Sequence, residues 1–270
     1  MAPTGTVTGL CVYPIRGMSA QHLEQVRLSP ERGFPHDRAW ALARHGGEAI
    51  RLPEKPLSSY NYHGPTYDPR LAGIRTQLNT ETQQLEVYVR EHQVLSCCLA
   101  HEGDRAEAEQ LLARVLDLDP HHAPRLIRRT SENYNYTYTA TISARMGRAV
   151  HIVNLASVRE LGERVGEEID PLRFRANIYF DAGEAWVERN WTQQRLGLGE
   201  AGLTVEMGTP RCAATEVNRA TAELDIPVPR LLKQHYGHTE MGLYATVEAA
   251  GTVTLGAPIH MLGADAGDGR

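Results

Sequence analysis

Cysteine is scarce in this 270-residue chain, and the four that occur, Cys11, Cys97, Cys98 and Cys212, stand at no zinc-binding spacing and form no secreted disulfide framework. Adjacent Cys97 and Cys98 predict a strand with one thiol inward and one outward. No apolar run approaches the roughly 20 residues of a membrane span. The first residues, Met-Ala-Pro-Thr-Gly-Thr, have neither the basic start and apolar core of a signal peptide nor the Arg-rich pattern of a transit peptide. A soluble, cytoplasmic protein is therefore expected. Positive charge is also short: 28 Lys and Arg against 33 Asp and Glu leave a formal charge of −5. That balance argues against nucleic acid as a partner, because phosphate-backbone binding needs a cationic face. Internal repeats, a glycine-rich nucleotide motif, a flavin or nicotinamide fingerprint and a cysteine quartet for an iron–sulfur cluster are all missing. His151, His235 and His238 lack the helical i,i+4 pairing of a zinc site, which leaves them surface or supporting roles.

At 41% hydrophobic residues the chain can bury a sizeable core, and its length favours two domains. Strands dominate the pattern. Residues 74–78 and 85–89 alternate in and out around a polar turn and predict a hairpin; residues 244–247 and 252–255, with Gly251 in the turn, predict another. Residues 203–207 alternate as a half-buried strand. Ala108, Leu111, Leu112, Val115 and Leu116 fall at helical spacing within 104–118, and Asp119-Pro120 stops that helix. A second helix is predicted from Ser157 as N-cap, with Val158, Leu161 and Val165 inward and Gly166 near its end. Trp40, Trp186 and Trp191 read as packing residues. The run Asn133-Tyr-Asn-Tyr-Thr-Tyr138 reads better as a tyrosine-rich edge strand than as a substrate mouth, and the polar, Gly-rich tail 263–270 as disordered.

Five separated motifs carry more information. They are Val12-Tyr-Pro-Ile-Arg-Gly17, Gly33-Phe-Pro-His-Asp-Arg-Ala-Trp40, Arg173-Phe-Arg-Ala-Asn177, Gly208-Thr-Pro-Arg-Cys-Ala-Ala-Thr-Glu-Val-Asn218, and Gly242-Leu-Tyr-Ala-Thr-Val-Glu248 followed by Gly251-Thr-Val-Thr-Leu-Gly256. The last three resemble a MOSC domain, the module that binds molybdenum cofactor. The first two resemble the β-rich domain that precedes MOSC in the amidoxime-reducing components and their bacterial relatives. The resemblance implies a mostly β protein with a few helices: an N-terminal β-barrel-like domain over 1–103, a helical connection over 104–120 and a C-terminal MOSC β-barrel over 121–262, with the cofactor between the two domains.

The resemblance also implies roles. A soft, deprotonated thiolate can fill one position on molybdenum, and Cys212 is the candidate ligand, with Arg211 beside it favouring the thiolate. Taken alone, Cys212 reads equally as a small buried hydrophobe. The pterin carries a phosphate and an amide-rich ring, which call for cationic forks and backbone N–H groups. Positions matching the family's pocket are Arg16, Arg38, Arg175, Asn177 and Tyr244, while Asn154 and Ser157 match the start of a helix facing the phosphate. Arg16 replaces the family's usual lysine, and Gly17 stands where near relatives place serine. On residues alone, Arg38 can equally pair with Asp37, Tyr244 can be a core tyrosine, and Arg173 and Arg175 alternate around Phe174 as on a strand, with Arg175 and Asn177 facing the same way.

The implied activity is a two-electron reduction of N-hydroxylated or related oxidised small molecules at molybdenum, fed by a separate electron-donor protein of the ferredoxin or flavin-reductase type. The alternative is a stand-alone cofactor or sulfur carrier in which Cys212 holds a persulfide. Because the desulfurase domain of the cofactor sulfurases is missing from this chain, pyridoxal phosphate is not expected.

Overall fold

The computed structural model describes residues 4–129 and 136–263. In chain order the strands are β1 (Gly5–Val12), β2 (Gln21–Leu23), β3 (Gln25–Leu28), β4 (Trp40–Ala43), β5 (Ile74–Leu78), β6 (Gln84–Val89), β7 (His92–Cys98), β8 (Arg125–Arg128), β9 (Val150–Asn154), β10 (Ile178–Asp181), β11 (Arg195–Leu198), β12 (Ala201–Pro210), β13 (Glu240–Ala249), β14 (Gly251–Thr254) and β15 (Pro258–Leu262). The helices are α1 (Glu48–Arg51), α2 (Glu102–Val115), α3 (Leu155–Val165) and α4 (Val228–Tyr236). The protein is mostly β, and no helix among the described residues is long and apolar enough to cross a membrane.

Strands β10, β9, β13, β12, β11, β15 and β1 pair in that order, and β1 returns to β10, so the sheet closes as a seven-stranded barrel with β2 added beside β1. Closure leaves no long unpaired edge. All neighbours in the ring are antiparallel except β9 and β10. A parallel pair needs a crossover, and α3 lies within the one that joins β9 to β10. Period-2 alternation fills the interior: Leu196 and Leu198 of β11, Leu203 and Val205 of β12, and Ala245 and Val247 of β13 are all buried in one cluster. Each side chain of leucine size contributes about 1.5–3 kcal/mol when fully removed from water.

The two expected units are interleaved in space. β1 belongs to the C-terminal barrel, and β3 pairs with β14. A second core is built from Trp40, Leu42, the β5–β6–β7 sheet and the inner face of α2, with β8 returning to pair with β4. Leaving β1, the chain therefore contributes Val12 to the barrel core and Ile15 to the second core.

The 74–78 and 85–89 hairpin forms as expected, with Cys97 buried and Cys98 half-buried on β7. Other local expectations need correction. Residues 252–254 do form a strand after Gly251, but it pairs with β3, not with the 244–247 segment. The cap of α3 is Asn154, whose Oδ1 accepts the Ala156 N–H at 3.1 Å; Ser157 lies inside the first turn, and Gly166 ends the helix in the left-handed region. Residues 171–174 form a 3-10 turn rather than a strand. Trp40 and Trp191 are buried and Trp186 is half-buried. Of the tyrosine-rich run, 133–135 lie outside the described residues, as do 264–270 of the tail; Tyr136 is buried, and Tyr138 opens a 3-10 turn instead of a strand.

Candidate functional site

The two N-terminal motifs run side by side. The Arg38 N–H donates to Tyr13 O at 2.7 Å, the Trp40 N–H to Pro14 O at 3.0 Å and the Arg16 N–H to Trp40 O at 2.8 Å. Asp37, which is buried, accepts the Tyr13 N–H at 3.0 Å and pairs with Arg38. Gly33, at the start of the second motif, lies against Arg148: its φ is +61°, and a Cβ there would lie 1.9 Å from Arg148 O. The Gly-Phe-Pro-His-Asp-Arg motif thus needs glycine at its start for space as well as for conformation.

From the other side comes the 171–177 segment. Asp170 caps its 3-10 turn by accepting the Leu172 N–H at 2.9 Å, and Arg175 ends the turn at φ +53°. A non-glycine residue held there costs free energy and is informative when it recurs at a cleft. Arg173 and Arg175 diverge in consequence. Arg173 is buried and forms a bidentate pair with Asp225 at 2.7 and 2.5 Å. Arg175 turns toward the N-terminal motifs, with its guanidinium 4.3 Å from the Tyr13 ring centre and Nη1 donating to Met18 O at 2.5 Å.

Arg38 meets it there. Its guanidinium lies 5.0 Å from the centre of the same Tyr13 ring, and Nη2 donates to Arg175 O at 3.0 Å. Arg16 sits 4.5 Å over the Tyr62 ring. Arg211 donates to Phe174 O at 2.7 Å and contacts His151 Nε2 at 3.3 Å. Among the described residues, Asp37 is the one carboxylate hydrogen-bonded to any of these four arginines. Among the described residues, Arg175 Nη2 and Arg211 Nε are buried donors without a partner. Leaving such a donor unmade costs about 1–3 kcal/mol.

The titration behaviour reflects the same shortage of negative charge. Burial, together with neighbouring Arg38, pushes Arg16 and Arg175 down to about 10. Arg211 is lowered by burial. Burial works against Arg38 as well, but Asp37 outweighs it and raises that group. His151 is driven well below its ordinary value by burial and then by Arg211 and Arg38, so it is a neutral ring within the cluster. Tyr244 packs against His151 with ring centres 5.2 Å apart, and burial raises its phenol, which keeps it a hydrogen-bond donor.

Cys212 lies where β12 runs out. The Arg211 N–H donates to Thr239 O at 2.8 Å, and Cys212 opens the 3-10 turn Ala213–Glu216. Its side chain is exposed, with Thr66 Oγ1 3.8 Å from Sγ. Arg16, Arg211 and Tyr244 are all within electrostatic reach of this thiol. Among the described residues no group of three or more His, Cys, Asp or Glu side chains is arranged to hold a metal. A lone thiol suits a metal that brings its other ligands with it, as in a dithiolene cofactor. The residues present fit such a group: a lone thiol beside a cationic cluster with unpaired buried donors.

Of the residues expected at the site, the structure brings Arg16, Arg38, Arg175, Arg211, Cys212 and Tyr244 together. It does not bring in the side chains of three others. Asn177 braces the barrel, accepting the His151 N–H at 3.1 Å and donating to Cys11 O at 3.3 Å. Asn154 and Ser157 donate to opposite oxygens of Glu188 at 2.9 and 2.7 Å. That buried carboxylate already supplies negative charge at the start of α3, where a phosphate was expected. Conversely, Tyr13, His151 and Thr66 lie at the cluster without having been singled out as ligands. Tyr13 belongs to the Val12–Gly17 motif, whereas Thr66 sits in a loop with no readable pattern.

Residues 139–260 match the MOSC domain, and residues 4–119 match the MOSC N-terminal beta barrel domain. Over 297 residues the chain is 23% identical to mitochondrial amidoxime-reducing component 1 of Homo sapiens, spanning 96% of this chain and 83% of that protein. It is 22% identical over 289 residues to mitochondrial amidoxime reducing component 2 of Rattus norvegicus, with the same shares of 96% and 83%. Similarity to the molybdenum cofactor sulfurase of Drosophila yakuba is 26% over 278 residues, covering 93% of this chain and 33% of that protein.

Proposed function

The chain belongs to the MOSC family, with the family's N-terminal barrel domain ahead of the MOSC domain, and on that premise we propose that it is a molybdenum-cofactor-dependent reductase of N-hydroxylated or related oxidised small molecules. The observation that carries this reading is the exposed Cys212 thiol at the edge of four arginines that share one carboxylate and keep unpaired buried donors.

Cys212 would ligate the metal. Arg38, Arg175 and Arg211 would hold the cofactor's anionic groups, with Arg175 Nη2 and Arg211 Nε gaining the partners they lack. Arg16 would face the same charge from the Tyr62 side, and Tyr244 would donate its phenolic proton in a hydrogen bond. When bound, the cofactor supplies a centre that passes two electrons to the substrate. The net reaction breaks the N–O bond, consumes two electrons and two protons, and releases the oxygen as water. The electrons would come from a separate donor protein, such as a ferredoxin or flavin reductase. Exposure of the Cys212 thiol supports a reaction open to small substrates and solvent protons.

Exposure of Cys212 also fits a second reading, a carrier that holds a persulfide or hands on the cofactor. The two readings separate in one experiment. Protein made in a host that synthesises the cofactor should turn over an amidoxime with an artificial electron donor, and Cys212→Ala should not. Absence of turnover by fully loaded protein, with transfer of cofactor or sulfur to an apo-enzyme, would replace the reductase by the carrier.

A further inference from the structure

Beside Cys212 lies a segment that no motif explains. Residues 59–67 form a turn laid directly on the Arg16-Gly17 corner. Gly17 has φ +84°, and a Cβ there would stand 3.1 Å from Gly64 Cα and 3.3 Å from His63 O. The two backbones touch because Gly17 carries no side chain; a Cβ on Gly64 would reach Gly17 Cα only at 4.0 Å. Three further links fix the turn: a bridge between Ala43 and Tyr62, the His63 N–H donating to Leu42 O at 2.8 Å, and Arg44 Nε donating to Tyr60 O at 2.7 Å. This docking is what brings Thr66 Oγ1 to 3.8 Å from the thiol.

The same turn carries two large aromatic rings that the fold does not cover. Tyr60 is 69% exposed and Tyr67 46% exposed. They are nevertheless held: the rings meet edge to face at 6.2 Å and 87°, the Arg44 guanidinium lies 5.4 Å from one ring centre and 5.2 Å from the other, and the Tyr67 hydroxyl is 3.3 Å from Ser59 Oγ. Tyr67 follows Thr66, whose Oγ1 lies 3.8 Å from Cys212 Sγ, so the segment that carries this ring borders the site. Aromatic faces fixed by polar contacts, open to water and carried by a segment that borders the exposed thiol form a preorganised stacking surface.

Resting on the reductase reading, we infer that Tyr67 and Tyr60 form the substrate-facing wall of the site and favour planar aromatic or heteroaromatic N-hydroxylated compounds over aliphatic ones. Stacking against one such ring changes affinity by roughly 2- to 10-fold.

The test uses the loaded full-length protein, Tyr67→Ala, Tyr60→Ala and Tyr67→Phe. The ratio of kcat/KM for a phenyl-bearing amidoxime to that for a methyl-bearing one should fall about 2- to 10-fold in each alanine variant and recover in Tyr67→Phe. Binding of benzamide, a neutral planar probe that cannot be reduced, is measured by NMR titration on the same proteins and should weaken in the alanine variants. An unchanged ratio and unchanged benzamide binding would overturn the inference, as would loss of pterin from Tyr67→Ala, which would make the ring a cofactor contact. If no amidoxime is reduced but benzamide binding still depends on Tyr67 and Tyr60, the reductase reading fails and the aromatic wall stands.

Discussion

Arg38 Nη2 donates to the main-chain carbonyl of Arg175 at 3.0 Å, and both residues hold their backbones in the left-handed region, at φ 49° and 53°. One arginine comes from the N-terminal motifs and the other from the turn before β10, so this bond ties together the two halves of the cluster. Each guanidinium is thereby aimed by a strained main chain and a fixed partner rather than left to side-chain rotamers.

Arg38→Ala removes both the bond and the partner of buried Asp37. Pterin content should fall severalfold, and stability by about 2–4 kcal/mol, because a buried carboxylate loses its cation. Adding Asp37→Asn should restore much of the stability without restoring pterin. Normal pterin content in Arg38→Ala would remove this residue from the pocket.

The unpaired donors predict that cofactor-free protein is stabilised by small anions. Inorganic phosphate or pyrophosphate should raise Tm at constant ionic strength, since a ligand at 100 times its Kd adds about 2.7 kcal/mol. Arg175→Met should blunt the effect, because it deletes one of the two donors of this arginine cluster that have no partner among the described residues. An equal rise in the variant would show that the anions act elsewhere or nonspecifically.

His63 predicts an acid-side loss of stability. Burial, then Arg44, lowers it to about 4, so the folded state binds its proton less readily than the unfolded chain does. The stability it contributes is fully present above the ordinary histidine value of about 6.5 and is lost as pH falls through about 4. Urea unfolding of wild type and His63→Gln between pH 7 and 4 should show the wild type losing more over that interval. Parallel pH profiles would contradict the assignment.

Gly33→Ala should cost roughly 2–4 kcal/mol, because a Cβ would meet Arg148 O at 1.9 Å in a conformation that already disfavours alanine. Denaturant midpoints measure this, and a neutral effect would mean that the motif can shift without loss.

Where the sequence was legible, one side chain or one local period carried the signal. The β5–β6 hairpin could be read from alternation, and Cys212 from the end of a strand beside arginine. What stayed hidden depended on distant partners. β14 follows the strand expected to pair with it, yet its partner is β3, more than 220 residues away, a choice no local pattern encodes. Arg173 and Arg175 looked alternate, but Asp170-Pro171 sets a 3-10 turn whose end throws the two side chains to different places. Asn154 and Ser157 matched a phosphate-facing helix start, but Glu188, some thirty residues on, supplies the negative charge there. Thr66 and Tyr67 gained meaning only once the contact of Gly17 with Gly64 set their segment beside the thiol.

Under the proposed function, Cys212 ligates a molybdenum cofactor held by the arginine cluster. The most direct test of this ligation is the molybdenum and pterin content of wild type and Cys212→Ala, both purified from a host that makes the cofactor. Cys212 is exposed, so its replacement should alter stability by no more than about 0.5 kcal/mol. The account predicts near-stoichiometric molybdenum in the wild type and loss of a stable metal centre in the variant; metal-free wild-type protein, or equal metal in both, would contradict it.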